Sequence, residues 1–282
     1  MIRSALPREL TQGTIFTCAA SDEYPTAEVR GLIITARCDV AHGKAPIISY
    51  VPIVSFEDWL LHDGLRILAA RATAGASGTM KAVLKDANLN ISILETLPVQ
   101  MIIEHLHKDD NKQSKALAKR FEDAATALKI ASSMLSKIVD VDTAKSFVSS
   151  QSKTYERMSQ ELLSNQIADF HYLEACEPED QTMGYVILMR EIRYIPADLA
   201  SALRDGIDLS LFNSLCKDSN SYKDKLAISN DKHFAMPIGL IQSPFLEFFM
   251  QRFTQLFARI GVTDISKSRL ETIKSLVPFA QE

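Results

Sequence analysis

The sequence has few of the signatures from which an activity is ordinarily read. Its four cysteines, Cys18, Cys38, Cys176 and Cys216, stand far apart with no CxxC pair. That spacing excludes a zinc ribbon and a dithiol redox motif, and fits free thiols in a reducing cytosol better than a disulfide framework. A positive excess is missing too. The net charge is −4, which argues against chain-wide affinity for nucleic acid while leaving room for a local basic patch. Long apolar runs are absent, because the longest, APIISYVPIVSF, falls short of the roughly 20 residues that a membrane helix requires. The opening MIRSALPREL has no apolar stretch behind its early arginine, so a signal peptide is not expected. A soluble, cytoplasmic protein with no membrane partner is the expectation. There is no phosphate-binding loop, nucleophile elbow or dinucleotide fingerprint. TAGASGT carries glycines but lacks the Gly-Lys-Ser/Thr ending, and it reads as a flexible loop.

What is present is an ordinary globular composition. With 282 residues, 46% hydrophobic and 23% charged, the chain can bury a substantial core in one or two domains. The first fifty or so residues read as strands. GTIFTCA, RGLIITA and APIISYVPIV are β-branched apolar runs, and DVAHGK supplies a turn in which Gly43 can take positive φ. Leu32–Ile34, continuous in apolar residues, predicts a strand covered on both faces. Pro46 and Pro52 push the third run towards an edge or a bulge.

After Phe56 the period changes. EDWLLHDGLRILAARATAG opens as a helix with Glu57 and Asp58 at its positive end, then runs into the TAGASGT loop. From Ser114 to Asp140, Leu117, Phe121, Ala124, Leu128, Leu135 and Ile138 recur at helical steps, and Phe147, Tyr155, Met158 and Leu162 mark a further amphipathic stretch. Strands return at DFHYLEA and MGYVILMREIRYI. CKDSNSYKDK reads as a mobile loop, and PIGLIQ as a strand. Ser243 is placed as an N-cap and Pro244 as the first helical residue. The helix they open has Phe245, Phe249, Phe253, Leu256 and Ile260 on one face, and Gly261 stops it. The expected class is α+β, with a β-domain built from both ends of the chain. Residues 10–56 and 169–262 form that domain, 57–168 a helical insertion and 263–282 a C-terminal tail. Joining the half-sheets avoids exposed edges, and an insertion at a loop tip costs little closure entropy.

The strand pieces QGTIF, VRGLIIT and YVPIVS, followed by VILMREIRYI and MPIGLIQSPFLEFFMQ, occur in the order found in the MazF/PemK superfamily of toxin–antitoxin modules, which this chain resembles over about 100 residues. The resemblance implies an SH3-like β-barrel closed by a terminal helix, and dimerisation through the barrel, a possible homodimer unless the insertion blocks that surface. In active members an arginine of the second strand and a threonine of the V-P-I-T-S strand act on RNA, the 2′-hydroxyl attacking the adjacent phosphate. Arg30 matches that arginine. Val54 stands at the threonine position, Ser55 follows it on the opposite face of a regular strand, and Gly31 replaces a proline.

Two functional readings follow. One is a non-catalytic binding or sensor subunit of a bacterial conflict system, toxin–antitoxin or antiphage, that docks a protein partner through the helical insertion and binds single-stranded RNA. The other is a divergent metal-independent endoribonuclease using Arg30 and Ser55. No cofactor is implied. Arg30 itself reads either as a phosphate contact or as a strand-end ion pair, with Arg37 at the far end of the same strand. Cys38, Asp39 and His42 suggest either a nucleophile or metal cluster or a turn in which Cys38 is buried and Asp39 caps. His105 and His107 lack a third ligand at matching spacing.

Overall fold

The computed structural model describes residues 1–108, 111–135, 140–230 and 233–258. Helix makes up 52% and strand 16%, so the class is α+β. The strands are β1 (Ile2–Ser4), β2 (Thr14–Phe16), β3 (Arg30–Ile33), β4 (Ile47–Ser55), β5 (Phe170–Leu173), β6 (Tyr185–Leu188), β7 (Arg193–Pro196) and β8 (Pro237–Ile241). They form one antiparallel sheet in the order β1-β8-β2-β3-β4-β6-β5, with β7 also on β4. The sheet curls into a half-barrel. Both ends of the chain contribute, and the sheet takes in β1, which lies before the expected boundary at residue 10.

Pro52 does not push β4 to an edge. Instead, β4 is the longest strand and lies in the middle of the sheet, with β3 along one side and β6 and β7 sharing the other. The β7 pairing runs through Tyr50 and the β6 pairing begins at Ile53. Pro52 therefore falls in the interval between two partners, where a missing N–H breaks no ladder bond. Gly31, opposite Pro52, is needed for packing: a Cβ there would lie 2.3 Å from the Phe16 ring.

Alternation along β4 sends Tyr50 and Val54 to one face and Val51 and Ile53 to the other. Both faces are covered at Leu32 and Ile33, each fully buried in a different cluster, as the run Leu32–Ile34 predicts; Ile34 lies past β3 and is only partly buried. On the Val54 face lie Trp59, Leu68, Phe147 and Met158 from the insertion. The Ile53 face is closed by α11 (Phe245–Phe257) through Leu246, Phe249 and Phe253.

The insertion begins as one long rod. α2 (Phe56–Trp59) passes through a π turn (Leu60–Gly64) into α3 (Leu65–Asp86) without a break. TAGASGT is thus helix, not loop. Ala69, Ala76, Met80 and Val83 keep the buried face at helical spacing across it, and packing against α6 (Lys112–Leu135) outweighs the roughly 1 kcal/mol that each helical glycine costs. Between them lie α4 (Ile93–Thr96) and α5 (Val99–Leu106); α7 (Val141–Ser150) and α8 (Ser152–Leu163) return the chain to the sheet. The tip has its own core around Leu84, Ile102 and Phe121, whereas the base shares the sheet's core.

Several local expectations are corrected. The Arg37–Ala41 segment is a short helix, α1, so Arg37 is not on β3. MGYVILMREIRYI divides into β6 and β7. α9 (Ala197–Asp205) and α10 (Leu209–Asp218) follow β7, and α10 takes in the start of CKDSNSYKDK, read as a mobile loop. Helix α11 starts after Pro244 without a side-chain cap from Ser243, and its buried face is Leu246, Phe249 and Phe253 while Phe245 is exposed. Ile138, Ile260, Gly261 and residues 263–282 lie outside the described residues. No helix among the described residues is long and apolar enough to cross a membrane.

Candidate functional site

Beyond Phe16 the chain of β2 continues as an irregular strip that forms the floor of a cleft of about 810 Å³. Thr17 stitches this strip to the segment entering β8, its hydroxyl donating to the Phe234 carbonyl (2.6 Å) and accepting from the Met236 amide (3.1 Å). Cys18 follows with φ +58°, a conformation few non-glycine residues adopt, and its carbonyl accepts from the Ala227 amide. On the opposite side the Ala19 amide donates to the Val29 carbonyl at 3.0 Å, which brings the start of β3, and with it Arg30, to the cleft. The walls are therefore the loop Pro25–Arg30 on one side and Leu226–Ser229 with His233 and Phe234 on the other.

Arg30 is half-buried. Its guanidinium carbon lies 4.6 Å from the centre of the Tyr185 ring, a cation–π distance. Its Nε is buried without a hydrogen-bond partner. Among the described residues it makes no ion pair with a carboxylate, so the strand-end salt bridge is not what holds it. Among the described residues Lys223 is the second cation lining the cleft and Glu28 the one carboxylate. His233 and Ser229 lie on the same wall, bonded to each other at 3.4 Å, and the half-exposed ring of Phe234 stands at the rim. Burial raises the Cys18 thiol, which is therefore held protonated and is a poor nucleophile. Burial pushes Tyr185 up to about 12, so its ring stays neutral beneath Arg30.

The register places Arg30 opposite Ile53, and Ser55 two residues further along β4 opposite Tyr185. Arg30 and Ser55 accordingly share a sheet face. Ser55 is nevertheless absent from the cleft lining. Its hydroxyl caps α2, accepting from the Asp58 amide at 3.0 Å and donating to the Asp58 carboxylate at 2.8 Å. Val54 is fully buried on the other face.

The remaining sequence candidates do not gather. Cys38 is exposed rather than buried, its thiol 3.6 Å from the neighbouring Asp39 carboxylate, and Asp39 makes no side-chain cap. His105 and His107 are exposed on the insertion. Among the described residues no group of His, Cys, Asp and Glu is placed to hold a metal ion. Cys18, Glu28, Lys223, His233 and Phe234 were not marked by any motif. They meet only because β2 and β8 pair and the loops beyond them cross, a long-range event that leaves no local spacing to read.

Comparison with known proteins finds no matching family model, no matching curated protein and no matching solved structure.

Proposed function

We propose that the protein is a non-catalytic recognition subunit whose Arg30 cleft binds single-stranded RNA. The observation that carries this reading is a half-buried guanidinium with no carboxylate partner among the described residues, opening into a cleft. A charge held this way is prepared for an anion that arrives from outside, and guanidinium geometry suits a phosphate. Lys223 adds a second cation, and the Phe234 ring offers a face on which an unstacked base can stack. The resemblance to the MazF/PemK superfamily supports the same ligand, the SH3-like type of half-barrel, and a role in a bacterial conflict system, with the helical insertion as the surface for a protein partner. Engagement of the Ser55 hydroxyl by Asp58 supports binding over cleavage.

The test is an equilibrium titration with a labelled single-stranded RNA at several salt concentrations. Arg30→Ala and Lys223→Ala are each expected to weaken binding and to lower the salt slope by about 0.7, the share of one phosphate contact on a single strand. Equal affinity of wild type and both variants contradicts the assignment. The endoribonuclease reading retains one observation in its favour, the shared sheet face of Arg30 and Ser55. It requires that Ser55→Ala abolish RNA cleavage in metal-free buffer.

A further inference from the structure

One wall of the cleft is anchored to the helical insertion through a contact that cleft chemistry does not require. Between Ala19 and Val29, whose backbones are bonded to each other, the chain makes a closed loop. Its second half, Pro25 to Val29, is cleft wall. Its first half is tied down on two sides. On one side Glu191, from the turn between β6 and β7, accepts from the Ser21 hydroxyl and the Asp22 amide, both at 2.6 Å, and Arg193 pairs with Asp22. On the other side the Tyr24 hydroxyl donates to Asp63 at 2.5 Å, and the Tyr24 ring lies 4.6 Å from that of His62.

Asp63 and His62 belong to the π turn, the one irregularity in the rod from Phe56 to Asp86. A π turn inserts a residue and rotates the helix face beyond it, and such turns are frequent at functional positions. Gly64 lets this one pack tightly, since a Cβ there would lie 2.9 Å from Leu60 and 3.1 Å from Trp59. Tyr24 is itself buried, and burial together with the Asp63 bond raises its hydroxyl far above the usual tyrosine range, so the proton stays on Tyr24 and the bond is one of phenol to carboxylate.

We propose that the Tyr24–Asp63 hydrogen bond couples the helical insertion to the cleft. Movement of the rod, as when a partner docks on the insertion, is transmitted through the π turn to the loop whose far half carries the wall at Pro25–Val29. Tyr24 and Asp63 are positioning residues; neither lines the cleft. The inference rests on the reading of the cleft as a ligand site, and its consequence for the loop can be measured without ligand.

The experiment is amide exchange on the full chain for wild type, Tyr24→Phe, Asp63→Ala and the double variant. Tyr24→Phe keeps the ring and removes only the hydroxyl, which makes it the variant least able to disturb folding. Within the loop, the Tyr24 amide is bonded to the Ser21 hydroxyl and the Ala27 amide to the Tyr24 carbonyl. Their exchange is expected to quicken about tenfold in each single variant and no further in the double, as befits one shared bond to a charged acceptor. The slowest amides of β4 and α6 are expected to keep the wild-type rate, whereas a purely structural role would move them too. Unchanged loop exchange in both single variants, additive effects in the double, or global acceleration overturns the proposal. RNA affinity in the same variants gives a separate readout, with a several-fold loss expected and wild-type affinity contradicting the coupling. If wild type binds no RNA, the reading of the cleft fails while the exchange result still decides the coupling.

Discussion

Arg30 and Ser55 illustrate how two side chains on one sheet face come to different fates. Arg30 keeps its charge over an aromatic ring and spends none of it on a protein carboxylate among the described residues. The Ser55 hydroxyl, one register step away, satisfies an orphan amide of the following helix. Ser55→Ala is accordingly expected to cost about 1 kcal/mol of stability by loss of the cap, read by chemical denaturation, and to leave RNA affinity at the wild-type value. His171 supplies an independent residue-scale prediction. It is buried between β5 and α11, where Arg252 donates to its Nδ1 at 3.0 Å, and burial with that neighbouring cation lowers its pKa from 6.5 to about 3. Below the ordinary value the unfolded chain takes up a proton that the folded chain refuses, so stability falls as pH drops through about 6.5. The loss between roughly pH 7.5 and 5 is expected to be about 2 kcal/mol. His171→Gln keeps an acceptor for Arg252 and should remove that part of the acid sensitivity. Identical acid profiles would contradict the assignment.

At the scale of elements, the glycine-bearing middle of α3 offers the plainest test of why it is helical. Cβ atoms added at Gly75 and Gly78 meet nothing within 4 Å. Gly75→Ala and Gly78→Ala are expected to stabilise by about 0.5–1 kcal/mol each, read as a higher denaturation midpoint. These glycines also show where the sequence misleads. TAGASGT carries loop composition, while the buried positions on either side preserve helical phase, and the partner helix α6 that decides the matter lies some forty residues on. Likewise Pro52 reads as an edge signal until its position between two strand partners is known. Strands β2, β3 and β5, the long α6 and the closing helix were legible because their apolar periodicity is local. The cleft was legible only in Arg30. Its other walls come from residues more than a hundred positions apart, brought together by sheet pairing.

For the whole molecule, the distribution of core matters more than the division into domain and insertion. Trp59 is fully buried in the cluster that joins sheet and insertion, whereas Phe121 is fully buried in the tip's separate cluster. Phe121→Ala should therefore cost about 3–5 kcal/mol locally and raise amide exchange in α5 and in α6 around Phe121 without affecting β4. Trp59→Ala should lower protection in β4 and in the base of α3 together. That shared base is what makes a link from insertion to cleft mechanically reasonable. At this scale the Arg30 cleft is proposed to bind single-stranded RNA and to leave it intact. End-labelled RNA incubated with excess protein in metal-free buffer, followed for bound fraction and chain length in the same samples, tests it most directly. Wild type and Ser55→Ala are predicted to hold full-length RNA, and Arg30→Ala to release it. Shortened RNA with wild type, or undiminished binding by Arg30→Ala, would contradict the claim.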